Sequence, residues 1–142
     1  MEINFHFQKA ATLTQRIKLK AFICSMFKSE KKKLSNLNIV FCSDSYLLEI
    51  NHNFLHHNFF TDIITFDFTP IAEKAIEAEI YISVDRVKEN AKIFKISTRK
   101  EFHRVIFHGV LHLCGYRDKS KLQKVKMTQM EELYLEKYYA ST

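Results

Sequence analysis

Two histidines and an aspartate form the segment with the most chemical potential: His108-Gly-Val-Leu-His112-Leu-Cys-Gly115-Tyr-Arg-Asp118. On a helix, positions i and i+4 share a face with Cβ atoms about 5–6 Å apart, so both imidazoles reach one ion. Gly115 is the natural helix stop, because glycine accepts the left-handed conformation found there. Asp118 follows three residues past that turn, close enough to fold back over the same face. Two imidazoles and a carboxylate suit zinc, and three protein ligands leave a fourth position for water, as in catalytic rather than structural sites. Zinc lowers the pKa of such a water to about 7. A plainer reading stands beside this one. Two helical histidines can be satisfied by ordinary hydrogen bonds, and Asp118 can cap the next helix, with Ser120 as a rival cap. Gly109 bears on the reaction class: a His-Glu-x-x-His metalloprotease has its general base there, and glycine supplies none. No other general base is evident in the motif. Cys114 lies two residues from His112, points elsewhere and is read as packing.

These residues need a scaffold, and the chain supplies one domain's worth. It has 142 residues, 46% hydrophobic and 27% charged, with 13 Phe, 2 Gly and 1 Pro. That excludes disordered, collagen-like and linker-like sequence. No apolar run approaches the roughly 18 residues of a membrane span. The first seven residues alternate like a strand and lack a signal peptide's apolar block, so a cytoplasmic location is expected. The three cysteines, at 24, 42 and 114, form neither a disulfide framework nor a CxxC pair. Cys24 and Cys42 sit in apolar patterns and are expected as buried free thiols.

Period-two alternation predicts strands over 2–7, 37–42, 62–68 and 79–84, the last two joined closely enough to pair antiparallel. Helical spacing predicts five helices. The first covers 10–28 with Leu13, Ile17, Ala21, Cys24 and Phe27 inward. The second follows a Ser43 cap and holds Tyr46, Leu47 and Ile50. The third opens at Ser83 or Asp85 with Val87, Ala91 and Phe94 inward. The fourth starts at a Thr98/Glu101 capping box and carries Phe102, Val105, Ile106, Gly109 and Leu113. The last spans about 120–139 with Leu122, Val125, Met130, Leu133, Tyr134 and Tyr138. Lys31-Lys32-Lys33 reads as a solvated turn. The order implies an α+β or α/β layer with a small mixed sheet.

The net charge is +6, which suits a polyanionic partner. Arg117, Lys119, Lys121, Lys124 and Lys126 cluster around Asp118 alone. A second basic stretch spans 86–104, while Glu131, Glu132 and Glu136 reverse the sign in the tail. Charge by itself is better explained by solvated helix faces.

His108-Gly-Val-Leu-His112-Leu-Cys-Gly-Tyr resembles the signature of the YbeY family of bacterial rRNA maturation factors, whose pattern places a third metal ligand where Asp118 stands. Thr61-Asp62-Ile63-Ile64-Thr65-Phe66, Glu79-Ile80-Tyr81-Ile82-Ser83, and Asn51 with Phe54 resemble further family blocks in order and spacing. The resemblance implies one zincin-like α+β domain over 1–142, with about four strands packed against helices. It implies a single zinc ion held in a cleft by His108, His112 and Asp118. It also implies metal-dependent cleavage of single-stranded RNA, with roles in maturing the 3′ end of 16S rRNA and in late 70S ribosome quality control. The partners implied are the 16S precursor, the ribosome and ribosomal proteins, with no membrane.

Two positions depart from the family pattern. Asp118 stands where most members have histidine; its charge makes the metal a weaker Lewis acid and slower chemistry is expected. Leu55 stands where many members have arginine. Arg117 and Lys119, beside the ligand, are the candidate phosphate contacts, with His56 or His57 as lesser substitutes. Phe59 or Phe60 is a candidate for base stacking; His52 and His103 are read as off the site. The contrasting reading is a non-catalytic assembly factor that binds rRNA or a ribosomal protein around a structural zinc. A peptide or small-molecule zinc hydrolase is disfavoured by Gly109.

Overall fold

Alternating Ile3, Phe5 and Phe7 make the opening strand, β1 (Glu2–Phe7), and the computed structural model describes residues 2–141. The elements that follow are α1 (Arg16–Ser29), β2 (Lys33–Cys42), α2 (Asp44–Leu55), β3 (Ile63–Asp67), β4 (Ala75–Ser83), α3 (Val84–Phe94), α4 (Thr98–Leu113) and α5 (Lys121–Ala140). The sheet order is β1-β2-β4-β3, with β1, β2 and β4 parallel and β3 antiparallel to β4. This is the expected mixed α+β layer. One sheet face, built from Ile3, Leu37, Ile39, Phe41, Ile80 and Ile82, forms the main core with side chains of α1, α3, α4 and α5. The other face packs Cys42, Ile64, Phe66 and Tyr81 against Leu47 and Ile50 of α2.

Several expectations shift on the structure. β2 begins at Lys33, so the lysine turn is shorter and the strand longer than the alternation implied. The reason is a bulge. Leu34 pairs with Ile76 and Asn36 with Glu77, which leaves Ser35 as the extra residue and breaks the period of two. β4 likewise starts at Ala75, earlier than residue 79. Helix α1 begins only at Arg16, after Gln15 turns the chain at φ 53°. Its buried stripe is Leu19, Ile23, Met26 and Phe27, and Ile17 is 88% exposed. Two helical phases were available in this segment, and no charge distinguished them. Cys24 is half-buried; Cys42 and Cys114 are buried free thiols, pushed up to about 12 chiefly by burial.

Ser83 caps α3 by accepting from the Arg86 amide at 3.0 Å, but Phe94, expected inward, is 54% exposed. In α4 the cap is Ser97, which accepts from the Lys100 amide at 3.1 Å, rather than Thr98. Glu101, expected to complete a capping box, is instead fully buried and paired with Arg104. The α5 stripe also rotates. Its buried residues are Met127, Glu131, Tyr134, Leu135 and Tyr138, whereas Leu122 is 84% exposed and Val125 and Leu133 are also exposed.

His103 is buried between α4 and α5, stacked on Phe107 and with Nδ1 2.8 Å from the Tyr139 hydroxyl. Burial, with Arg99 and Lys18 adding to it, pulls its pKa down to about 4. The unfolded chain therefore takes up a proton in a range where the folded one does not. Stability from this group is complete above about pH 6.5 and is lost as the pH falls toward about 4. The total is on the order of 3 kcal/mol. Urea unfolding of wild type and His103→Phe should show a fall from pH 7 to 5 that is shallower in the variant; equal slopes would contradict the assignment.

Candidate metal centre

The site begins with how α4 ends. The Gly115 amide donates to His112 O at 3.0 Å and the Tyr116 amide to Leu111 O at 3.0 Å, with Gly115 at φ 107°. This is the double helix-closing pattern that needs a residue tolerant of positive φ. The turn brings the Tyr116 carbonyl back over the helix, where it accepts from His112 Nδ1 at 3.0 Å. Tyr116 is held in turn by its hydroxyl, which donates to Glu30 Oε1 at 2.8 Å; Tyr134 donates to the other oxygen of Glu30.

Asp118 then lies over both imidazoles. Its Oδ2 is 3.4 Å from His108 Nε2 and 3.3 Å from His112 Nε2. The three donor atoms lie within 4.8 Å of one another, on partly buried residues. Donors about 2.1 Å from one ion at tetrahedral corners stand roughly 3.4 Å apart. The donor set and its spacing therefore fit a zinc-type cation. Asp118 is also free of the rival duty. Ser120 caps α5, accepting from the Gln123 amide at 3.1 Å while Gln123 Oε1 accepts from the Ser120 amide at 3.1 Å.

Two residues not singled out from the sequence join the site. Glu131 of α5 places Oε2 2.5 Å from His108 Nδ1 and is 4% exposed. Arg104, one turn before His108, donates through Nη1 to Glu131 Oε1 at 3.1 Å. It also binds both Glu101 oxygens, at 2.7 and 2.6 Å, and comes 3.8 Å from Asp62. Glu101's hydrogen bonds hold its guanidinium well above the ordinary arginine pKa despite burial. A signal for Glu131 was present in the sequence. It lies four residues after Met127 and three before Tyr134, in phase with the buried stripe, and a carboxylate in that phase needs a buried partner.

The remaining candidates spread out. Arg117 and Lys119 are exposed on either side of Asp118. Leu55 ends α2 and His56, at φ 58°, closes it; both are exposed. His57 stacks on Phe59, and Phe60 lies under the Arg86 guanidinium. His52 is exposed, with Nδ1 at 2.5 Å from Asn58 Oδ1. Asn51 is buried and donates to Phe59 O at 2.9 Å, so it pins the loop after α2. His103 faces away from the metal-type cluster. A hollow of about 440 Å³ beside Thr98, Arg99 and Phe102 lies at the opposite end of α4 from the histidines.

The sequence profile of endoribonuclease YbeY matches residues 3–139. The chain belongs to this family. Endoribonuclease YbeY of Cytophaga hutchinsonii is 45% identical over 123 residues, covering 87% of this chain and 85% of the relative. That of Flavobacterium psychrophilum is 39% identical over 137 residues, covering 96% of each. The solution structure of TM1509 from Thermotoga maritima superposes with a TM-score of 0.64 at 25% identity, over 99% of this chain and 91% of that one. Family membership supports an RNA-cleaving role.

The division of labour between Asp118 and Ser120 is measurable in metal-free protein. Ser120→Ala should cost about 1 kcal/mol in urea unfolding, the usual worth of an N-cap. Asp118→Ala should change stability by about 0.5 kcal/mol or less, as for a surface position. The reverse ranking would make Asp118 the structural residue.

Proposed function

We propose that the chain is a single-strand-specific, zinc-dependent endoribonuclease that matures the 3′ end of 16S rRNA and acts in late 70S ribosome quality control. The observation that carries this reading is the convergence of His108 Nε2, His112 Nε2 and Asp118 Oδ2, in a chain of the endoribonuclease YbeY family. On this reading residues 1–142 act as one metal-dependent domain in the cytoplasm. The partners are the 16S precursor, the ribosome and ribosomal proteins.

His108, His112 and Asp118 would hold one zinc ion. Bound there, zinc supplies an activated water and a Lewis acid for the phosphoryl oxygens. The chain's own residues do the rest. The Tyr116 carbonyl and Glu131 carboxylate fix the two imidazoles at Nδ1, which leaves both Nε2 atoms for the cation. Arg117 and Lys119 flank Asp118 in exposed positions suited to phosphates of a bound strand, and the basic run continues through Lys121, Lys124 and Lys126. Cationic side chains on the rim steer a polyanion and make binding salt-dependent. No side chain of the motif supplies a general base. Asp118 brings a negative charge that an imidazole would not, which would make a bound cation a weaker Lewis acid.

Cleavage of a 3′-extended 16S precursor by zinc-loaded protein should be lost in His112→Ala and after removal of zinc by a chelator. Equal cutting by both proteins, or none by either, would overturn the nuclease reading in favour of an assembly factor. Asp118→His should raise the single-turnover cleavage rate at saturating zinc. An unchanged or lower rate would remove the charge argument for that position.

A further inference from the structure

We infer that Glu131 is a positioning residue for the proposed metal centre: its carboxylate keeps the His108 proton on Nδ1 and thereby presents the Nε2 lone pair to the cation. The inference rests on the metal reading above.

A neutral imidazole carries its proton on either nitrogen, and the nitrogen without it is the one that can ligate. What sits at Nδ1 decides which. For His112 the neighbour is the Tyr116 carbonyl at 3.0 Å, which only accepts. For His108 it is Glu131 Oε2 at 2.5 Å. Glu131 is buried, and Arg104 donates to its other oxygen at 3.1 Å. An ionised carboxylate only accepts as well. Both histidines are thus held with Nδ1 as donor and Nε2 turned toward Asp118.

Glu131 faces two donors at once, the Arg104 guanidinium and the His108 Nδ1–H. Only a side chain with two acceptor oxygens satisfies both. Glutamine has one oxygen and one NH₂. Arginine cannot give up its donors, so the amide oxygen goes to Arg104 and the NH₂ turns to His108. There it meets Nδ1 as a donor, which drives the His108 proton to Nε2 and blocks the ligating position. A role limited to pairing Arg104 predicts none of this, because Glu101 already binds that guanidinium through two hydrogen bonds. Loss of an outer partner such as Glu131 generally weakens metal binding by about 10–100-fold.

The test combines two readouts on full-length protein. Zinc affinity is measured by chelator competition for wild type and Glu131→Gln. Histidine ring tautomers are read from long-range ¹H–¹⁵N spectra of the metal-free proteins at about pH 8, where unperturbed imidazoles are neutral. The expected results are an Nδ1–H tautomer for His108 in wild type, an Nε2–H tautomer in Glu131→Gln, and an affinity loss of about 10–100-fold. The His112 tautomer should stay unchanged. Glu131→Gln with wild-type affinity and an unmoved His108 tautomer would overturn the inference. So would an Nε2–H tautomer for His108 in wild type, which needs no variant to fold. Wild type that fails to bind zinc would instead overturn the metal reading beneath it.

Discussion

A Cβ added at Gly109 would stand 2.8 Å from Ile63 Cδ1 and 2.9 Å from Ile80 Cδ1. Helix α4 lies close on the edge strand β3 and its neighbour β4 here, so a side chain at this position would have to push aside the terminal methyls of both isoleucines. His108 and His112 are partly buried, while Val105, Ile106 and Val110 fill the core below. The glycine that denies a metalloprotease-type base is also the residue at which the helix packs closely on Ile63 and Ile80. Buried, well-packed side chains tolerate little displacement, so this packing also keeps the two imidazoles in register with groups from other elements.

Those other elements arrive from three directions. The loop after Gly115 delivers Asp118 and the Tyr116 carbonyl, α5 delivers Glu131, and the segment before β3 delivers Asp62. Glu30 at the end of α1 ties the hydroxyls of Tyr116 and Tyr134 together, and so couples the loop to α5. The site is an assembly of long-range contacts on one helix rather than a property of the motif. Its precision depends on two helices and a loop docking together.

This division explains what the sequence discloses. His108, His112, Gly115 and Asp118 form a local pattern whose geometry follows from helix periodicity and one left-handed residue, and the structure brings all of them together. The four strands and the antiparallel pairing of β3 with β4 were also legible, from residue pattern and a short connection, whereas the parallel pairing of β1, β2 and β4 was not. Arg104 was not, and Glu131 showed only in its phase with Met127 and Tyr134, a stripe that the apolar residues at 122, 125 and 133 obscured. Each otherwise reads locally as a surface charge, one in a basic stretch and one in an acidic tail. Their burial arises only when α4 and α5 pack. The rotated stripes of α1 and α5 have a related cause. Both helices carry enough apolar residues to offer two faces, and tertiary packing chose the one that buries Glu131 against Arg104. The bulge at Ser35 hid the first turns of β2, since one inserted residue reverses the alternation.

Charge gives the site its remaining logic. His108 and His112 meet the carboxylates of Asp118 and Glu131, and the Arg104 guanidinium links Glu131 to those of Glu101 and Asp62. In a chain whose net charge is +6, this is a locally negative spot ringed by exposed cations. A phosphodiester brought to the bare cluster would meet like charge at short range, where screening by salt is weakest. A divalent cation held there reverses the local balance. The positive rim and the negative centre then serve different ranges. On the proposed function, Arg117, Lys119 and the lysines of α5 would attract a strand from a distance, while the cluster would hold one cation where the strand is cut. On the proposed reading a cation held by His108, His112 and Asp118 would do more than activate water: it would offset the negative charge that a phosphodiester otherwise meets at the centre.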